Sequence, residues 1–170
     1  KEKNKKKKKN SLQELTENID LIYRSYQNFD PEIQEISHKW LAEMNQGMQK
    51  FLTKKVKTFA ELDEYCYYVA GTVGGFLTET IIYKFEISEE NRQILLNNFN
   101  QAGLFLQKVN LIRDIREDLE SRDKHFWPLQ DLGINEEKLA DPEYEEQALT
   151  SLHKMLHAFT SPIPALHTSY

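Results

Sequence analysis

One apolar run constrains the fold of this chain more than any other feature, and it reads QAGLFLQKVNLIRDIREDLE. Leucine, isoleucine and valine recur through it at helical spacing, as in a helix packed inside a protein. With 3.6 residues per turn, Gln107, Asp114 and Asp118 fall on one stripe of this helix, and Asn110 and Glu117 lie along its edge. The run therefore predicts a long helix that carries a polar stripe within apolar surroundings.

The two aspartates of this stripe are candidate metal-binding residues. Carboxylates in apolar surroundings need something that compensates their charge. A Mg²⁺ ion would do so, because it takes oxygen ligands and shares its coordination with substrate phosphates. The spacing of Asp114 and Asp118 thus predicts one wall of a metal–diphosphate site. The alternative is a solvated acidic turn whose carboxylates pair with neighbouring arginines such as Arg113.

A second unusual segment is YCYYVAGTVGG, which begins at Tyr65 and contains three glycines. Glycine costs about 1 kcal/mol relative to alanine inside a helix, so the three need a physical reason. Close helix packing, a kink, or room for a ligand beside the backbone would each supply one. Tyr65, Val69 and Thr72 share a helical face, which would direct a phenol into a cavity. The alternative is that these tyrosines lie at the edge of an ordinary core.

The charge of the chain is unevenly distributed. The first ten residues carry +6, whereas the other 160 carry −11. An acidic body argues against nucleic-acid binding, which requires a basic face. We expect residues 1–10 to be a lysine-rich disordered leader and residues 11–170 to form one partial all-α domain. The chain begins with Lys1 rather than Met, so we expect it to be part of a longer protein. The single Cys66 excludes an internal disulfide and favours a buried small residue.

Capping signals divide the chain into helices joined by short connections. Capping boxes at Ser11 and Thr58 and the Asp-Pro pairs at Asp30 and Asp141 each mark a helix start. Because no alternating strand pattern competes, we expect an all-α helical bundle. The predicted helices run from Ser11 to about Tyr26, Pro31 to about Lys54, Thr58 to about Tyr83, Ser88 to about Arg122, and Asp141 to about Thr160.

Three motifs, YCYYVAGTVG, GLFLQKVNLIRDIRED and HFWP, occur in this order and together resemble the squalene/phytoene synthase family. The details are similar to its squalene branch, and the resemblance runs from about Asp30 to Tyr170. It implies the all-α isoprenoid (terpenoid) synthase fold. It also implies Mg²⁺-dependent head-to-head condensation of two farnesyl diphosphates through a cyclopropyl diphosphate, followed in squalene synthases by reduction with NADPH.

The resemblance also implies roles for particular residues. Asp114 and Asp118, with Glu117 in support, match the family's second aspartate-rich motif, which holds Mg²⁺. Tyr65 matches an active-site tyrosine that stabilises a cation or moves a proton. The other matched residues are Asn110 and Arg113 near the diphosphate and reductant, Gln107 on the same stripe, Val69 and Leu77 in the prenyl tunnel, and Phe126 and Trp127 in a structural segment.

The sequence departs from the family at one decisive point. No second Asp-x-x-x-Asp motif precedes the glycine-rich segment, and Asp20 and Asp30 stand alone. We therefore expect this chain to be a central part of the enzyme, inactive by itself, from a monomeric cytoplasmic protein. Peripheral membrane association stays open. The alternatives are a phytoene- or dehydrosqualene-type synthase without reduction, a non-catalytic helical remnant, and a zinc site at His153 and His157, which lack a third ligand.

Overall fold

The computed structural model describes residues 13–121 and 126–133, together with positions 135, 146, 150, 153, 154 and 157; for residues 115–121 it describes the backbone alone. Every described element is helical, which confirms the predicted all-α class. The elements are α1 (Ile19–Gln27), α2 (Pro31–Lys50), α3 (Phe59–Cys66), a π-helical segment (Tyr67–Gly71), α4 (Thr72–Lys84), α5 (Glu89–Ser121) and α6 (Leu129–Leu132). None of the described helices is both long and apolar enough to cross a membrane.

The described residues fall into two compact units that divide between Lys39 and Trp40, inside α2. The first contains α1 and the beginning of α2. There the Tyr26 hydroxyl donates to the Gln34 carbonyl at 2.9 Å, and the Tyr26 ring meets Phe29 edge-on. The second unit contains the remaining elements and the aromatic core described below.

Most of the predicted helix starts are confirmed. Pro31 opens α2, and Thr58 caps α3 in a complete capping box with Glu61. The Ser88 hydroxyl accepts from the Asn91 N–H at the start of α5. The predicted cap at Ser11 and most of the predicted helix 141–160 lie outside the described residues, as does the lysine-rich leader.

Helix α2 ends at Lys50, earlier than the predicted end near Lys54. The hydrogen-bond pattern changes at this point: the Phe51 N–H still donates to the Gly47 carbonyl at 3.3 Å, whereas the Leu52 N–H donates to the Gln49 carbonyl three residues back. Phe51 itself is buried and meets the Tyr65 ring edge-on, with 5.4 Å between the ring centroids.

The core of the second unit is formed by the connection between α2 and α3, by α3, by α5 and by the segment after α5. Its side chains share near-complete burial: Phe51, Val56, Leu62, Tyr65, Cys66, Leu111, Trp127 and Leu132. Cys66 is fully buried, as its position between two tyrosines in a helical run predicted, and this burial raises the pKa of its thiol to about 12. It is therefore an inert packing residue.

Helices α3 and α4 are continuous through the π-helical segment and run antiparallel to α5. Gly74 faces Phe99, Gly71 faces Asn100 and Gly103 faces Ala70. A Cβ atom on Gly103 would lie 2.5 Å from the Ala70 carbonyl oxygen. Close helix packing is thus the reason for these glycines, and the backbone irregularity lies in the same segment.

Candidate functional site

The polar residues of α5 form a stripe because their spacing matches the turns of the helix. Gln107, Asn110 and Asp114 follow one another at three- and four-residue spacing, and each is half-buried. The backbone continues as α-helix to Ser121, so Asp118 lies one turn beyond Asp114 on the same side of the helix. The side chains of Glu117 and Asp118 lie outside the described residues.

Asp114 is paired with its neighbour Arg113. Arg113 Nε donates to Asp114 Oδ1 at 2.7 Å, and Arg113 Nη2 donates to Asp114 Oδ2 at 2.9 Å. The hydrogen bond to Asp114 raises the pKa of the Arg113 guanidinium. The Arg113 side chain is 67% exposed and that of Asp114 is 32% exposed. An ion pair with so exposed a partner is weak and can open when a ligand binds.

The donor chemistry of the stripe suits Mg²⁺. Asp114 presents two carboxylate oxygens, and Gln107 and Asn110 present amide oxygens, all of them hard ligands. Among the side chains that the structure describes, no three His, Cys, Asp or Glu residues form a cluster. The described stripe therefore provides one carboxylate wall. His153 and His157 are exposed on helical backbone, with no third ligand among the described residues.

Tyr65, the candidate catalytic residue, lies in α3 within a group of aromatic rings. It is 8% exposed. Its ring stacks on Phe126 with 4.2 Å between the centroids and 17° between the planes. Phe51 meets it edge-on. The ring is thus a core residue, and its orientation is set by neighbours from two other parts of the chain.

An ion pair whose lysine is buried and whose aspartate is half-exposed links α5 to α3. Lys108 Nζ pairs with Asp63, and the Lys108 side chain is only 9% exposed, whereas that of Asp63 is 49% exposed. Lys108 follows Gln107 directly, and Asp63 precedes Tyr65 by two residues. The candidate residues Gln107 and Tyr65 therefore lie at about the same level of the antiparallel helix pair.

The two candidate tunnel residues are less closely grouped. Val69 is half-buried in the π-helical segment, one turn beyond Tyr65. Leu77 is 51% exposed in α4. At the rise of an α-helix, Leu77 lies roughly 18 Å along the axis from Tyr65. The structure places Tyr65 and Gln107 at about one level of the helix pair, Val69 about one turn further along, and Leu77 near the other end of the helix.

Three contacts at the site carry no local sequence signal. Besides Lys108–Asp63 and Phe126–Tyr65, the Tyr67 hydroxyl donates to a Glu43 carboxylate oxygen. Burial raises the pKa of Tyr67, and the bond to Glu43 raises it further. Glu43 lies in α2, so this bond ties the π-helical segment to a neighbouring helix. The partners of each pair are distant in sequence, so neither periodicity nor a motif could reveal them.

Comparison with known proteins gives a consistent result. The sequence profile described as squalene/phytoene synthase matches residues 2–160. The presqualene diphosphate synthase of Botryococcus braunii is 34% identical over 148 residues, which cover 84% of this chain and 36% of that protein. Squalene synthase 1 of Arabidopsis thaliana is 34% identical over 137 residues, which cover 77% of this chain and 31% of that protein. A protein named inactive squalene synthase 2 from the same plant is 39% identical over 124 residues, which cover 71% of this chain and 29% of that protein.

The solved structures agree. A ligand complex of TcSQS superposes with a TM-score of 0.79 at 33% identity, over 86% of this chain and 44% of that one. This likeness confirms the predicted isoprenoid synthase fold. The chain spans about a third of the length of the curated relatives it matches. On the profile match and on these relatives, the chain belongs to the squalene/phytoene synthase family.

Proposed function

We propose that this chain forms one wall of the active site of a squalene synthase-type transferase. The reaction is the Mg²⁺-dependent head-to-head condensation of two farnesyl diphosphates to a cyclopropyl diphosphate. The observation that carries the proposal is the half-buried oxygen stripe of α5, level with Tyr65, in a chain of this family.

The polar residues of α5 act on the diphosphate. Asp114 and Asp118, supported by Glu117, would hold Mg²⁺, which would neutralise the charge that develops on the departing diphosphate. Arg113 then exchanges Asp114 for diphosphate oxygens, which its guanidinium can bind in the same bidentate way. Gln107 and Asn110 offer amide donors to the diphosphate or to the reductant.

Tyr65, Val69 and Leu77 act on the prenyl part. The Tyr65 phenol lies among rings that exclude water, where it stabilises the allylic cation or moves a proton. The apolar side chains of Val69 and Leu77 form part of the wall that receives the farnesyl chains. The exposure of Leu77 leaves its surface available for such a chain.

Whether the product is reduced decides between two variants. The relatives include both a squalene synthase and a presqualene diphosphate synthase. We propose reduction by NADPH to squalene, with the unreduced phytoene- or dehydrosqualene-type outcome as the alternative.

The test is to incubate the full-length protein with labelled farnesyl diphosphate and Mg²⁺, with and without NADPH. Squalene formed only with NADPH supports the proposal. A cyclopropyl diphosphate or an unreduced hydrocarbon in both incubations supports the alternative.

A second candidate is a helical protein without catalytic activity. Two observations favour it: both Asp114 oxygens accept hydrogen bonds from Arg113, and the relatives include one named an inactive squalene synthase. A folded full-length protein that consumes no farnesyl diphosphate in the same assay would support this second candidate.

A further inference from the structure

We propose that Phe126 is a positioning residue that fixes the orientation of the Tyr65 phenol; the inference rests on the proposed function of Tyr65. The two rings are nearly parallel, with centroids 4.2 Å apart. This separation is shorter than the roughly 4.5–7 Å that is usual between paired aromatic rings. Phe126 therefore covers one face of the Tyr65 ring.

The segment that carries Phe126 is held firmly against α3. It is tied at two points: the Asp131 side chain accepts from the Phe59 N–H at 2.7 Å, and the Gln130 backbone N–H donates to the Lys57 carbonyl at 3.0 Å. Between these anchors and Phe126, Trp127 is buried at 5% exposure and Pro128 is fully buried. The segment is thus a rigid support whose anchors lie at the start of the helix that carries Tyr65.

The rest of the surroundings leave the Tyr65 ring little freedom. Phe51 approaches it edge-on, with centroids 5.4 Å apart and planes at 70°. Rotation of the Tyr65 ring would need both neighbours to move. A hydroxyl at the end of a ring held in this way keeps one direction, and a catalytic group displaced by about 1 Å loses about a hundred-fold in rate.

The kinetic test uses the full-length protein with Phe126→Leu, Phe126→Tyr and Leu132→Ala. Leu132 is a matched control, because it is buried in the same segment and core but is not a ring partner of Tyr65. Phe126→Leu should lower kcat at least about ten-fold and change KM for farnesyl diphosphate by less than about two-fold. Phe126→Tyr, which keeps the stacked ring, should have a kcat close to that of the wild type. Leu132→Ala should lower Tm without this loss of kcat. If Phe126→Leu fails to fold, Phe126→Met replaces it.

A second measurement needs no activity. With 3-fluorotyrosine at position 65, the fluorine resonance reports the ring current of Phe126 and the rate of ring rotation. Phe126→Leu should shift and broaden this resonance, whereas Leu132→Ala should leave it in place. An unshifted resonance, or an unchanged kcat in Phe126→Leu, would overturn the inference. If the wild type makes no prenyl product, the proposed function fails, and the fluorine measurement still decides whether Phe126 orients Tyr65.

Discussion

At the scale of single residues, Tyr65 and Asp114 need different surroundings. A phenol is mostly apolar, so Tyr65 can be buried among Phe51 and Phe126. A carboxylate must keep water or a cation beside it, so Asp114 stays half-buried and paired with Arg113. The difference explains how the proposed reaction centre and the proposed Mg²⁺ site can lie on adjacent helices.

Tyr65→Phe separates the role of the Tyr65 hydroxyl from the role of its ring. The phenylalanine ring keeps the stack with Phe126, so we expect stability of the full-length protein to change by less than about 1 kcal/mol. Without the hydroxyl, kcat should fall about a hundred-fold while KM for farnesyl diphosphate stays nearly constant. Steady-state kinetics and thermal unfolding measure both. An unchanged kcat would return Tyr65 to a purely packing role.

At the scale of the elements, the antiparallel pair of α5 with α3 and α4 determines the site. Gly71, Gly74 and Gly103 allow the two backbones to approach, and the Lys108–Asp63 pair links the two helices. A helical glycine is unfavourable by about 1 kcal/mol, and the close packing that it permits offsets this cost.

Gly103→Ala tests this packing. A Cβ atom at Gly103 would lie 2.5 Å from the Ala70 carbonyl oxygen and 2.9 Å from the Gly71 nitrogen, both backbone atoms. We expect the free energy of unfolding to fall by about 2 kcal/mol, although alanine is the better helix former. Denaturant unfolding of the full-length protein measures it, with the exposed Gln101→Ala in the same helix as a nearly neutral control. A stability gain in Gly103→Ala would show that the helices are not in close contact there.

The sequence predicted the elements better than their contacts, for a physical reason. Caps at Pro31 and Thr58 depend on residues a few positions away, so local patterns reveal them. The packing of Phe51, just after α2, depends on core residues that are distant in sequence, such as Tyr65. The assignments of Tyr65 and Asp114 rested on motifs, whereas the Phe126 stack and the Lys108–Asp63 pair exist only after folding.

At the scale of the whole molecule, a cluster of opposite charges joins the end of α2 to α3. The Glu64 carboxylate accepts hydrogen bonds from Lys50 Nζ and from Lys54 Nζ, the latter at 3.3 Å. Lys54 Nζ also lies 3.3 Å from Glu61 Oε1. The hydrogen bond from the Lys57 N–H lowers the pKa of Glu61, and the bond from Lys50 lowers that of Glu64. Both carboxylates are therefore more acidic in the folded protein than their ordinary value of 4.5.

This cluster predicts loss of stability in acid. A lowered folded-state pKa adds stability that is present above pH 4.5 and is lost as the pH falls through the folded-state values. Glu61→Gln combined with Glu64→Gln should flatten the dependence of unfolding free energy on pH below that point. Urea unfolding of the full-length protein across this range measures it, with the exposed Glu86→Gln as control. A slope in the double variant as steep as in the wild type would contradict the prediction.

The central claim is that the oxygen stripe of α5 binds a diphosphate through Mg²⁺. Isothermal titration calorimetry of the full-length protein with a non-hydrolysable farnesyl diphosphate analogue, with and without Mg²⁺, tests it most directly. We predict Mg²⁺-dependent binding that is lost in Asp114→Asn, whose helical circular dichroism is unchanged, and retained in Asp20→Asn on the exposed surface of α1. Binding by Asp114→Asn with the same affinity and the same Mg²⁺ dependence as the wild type would contradict the claim.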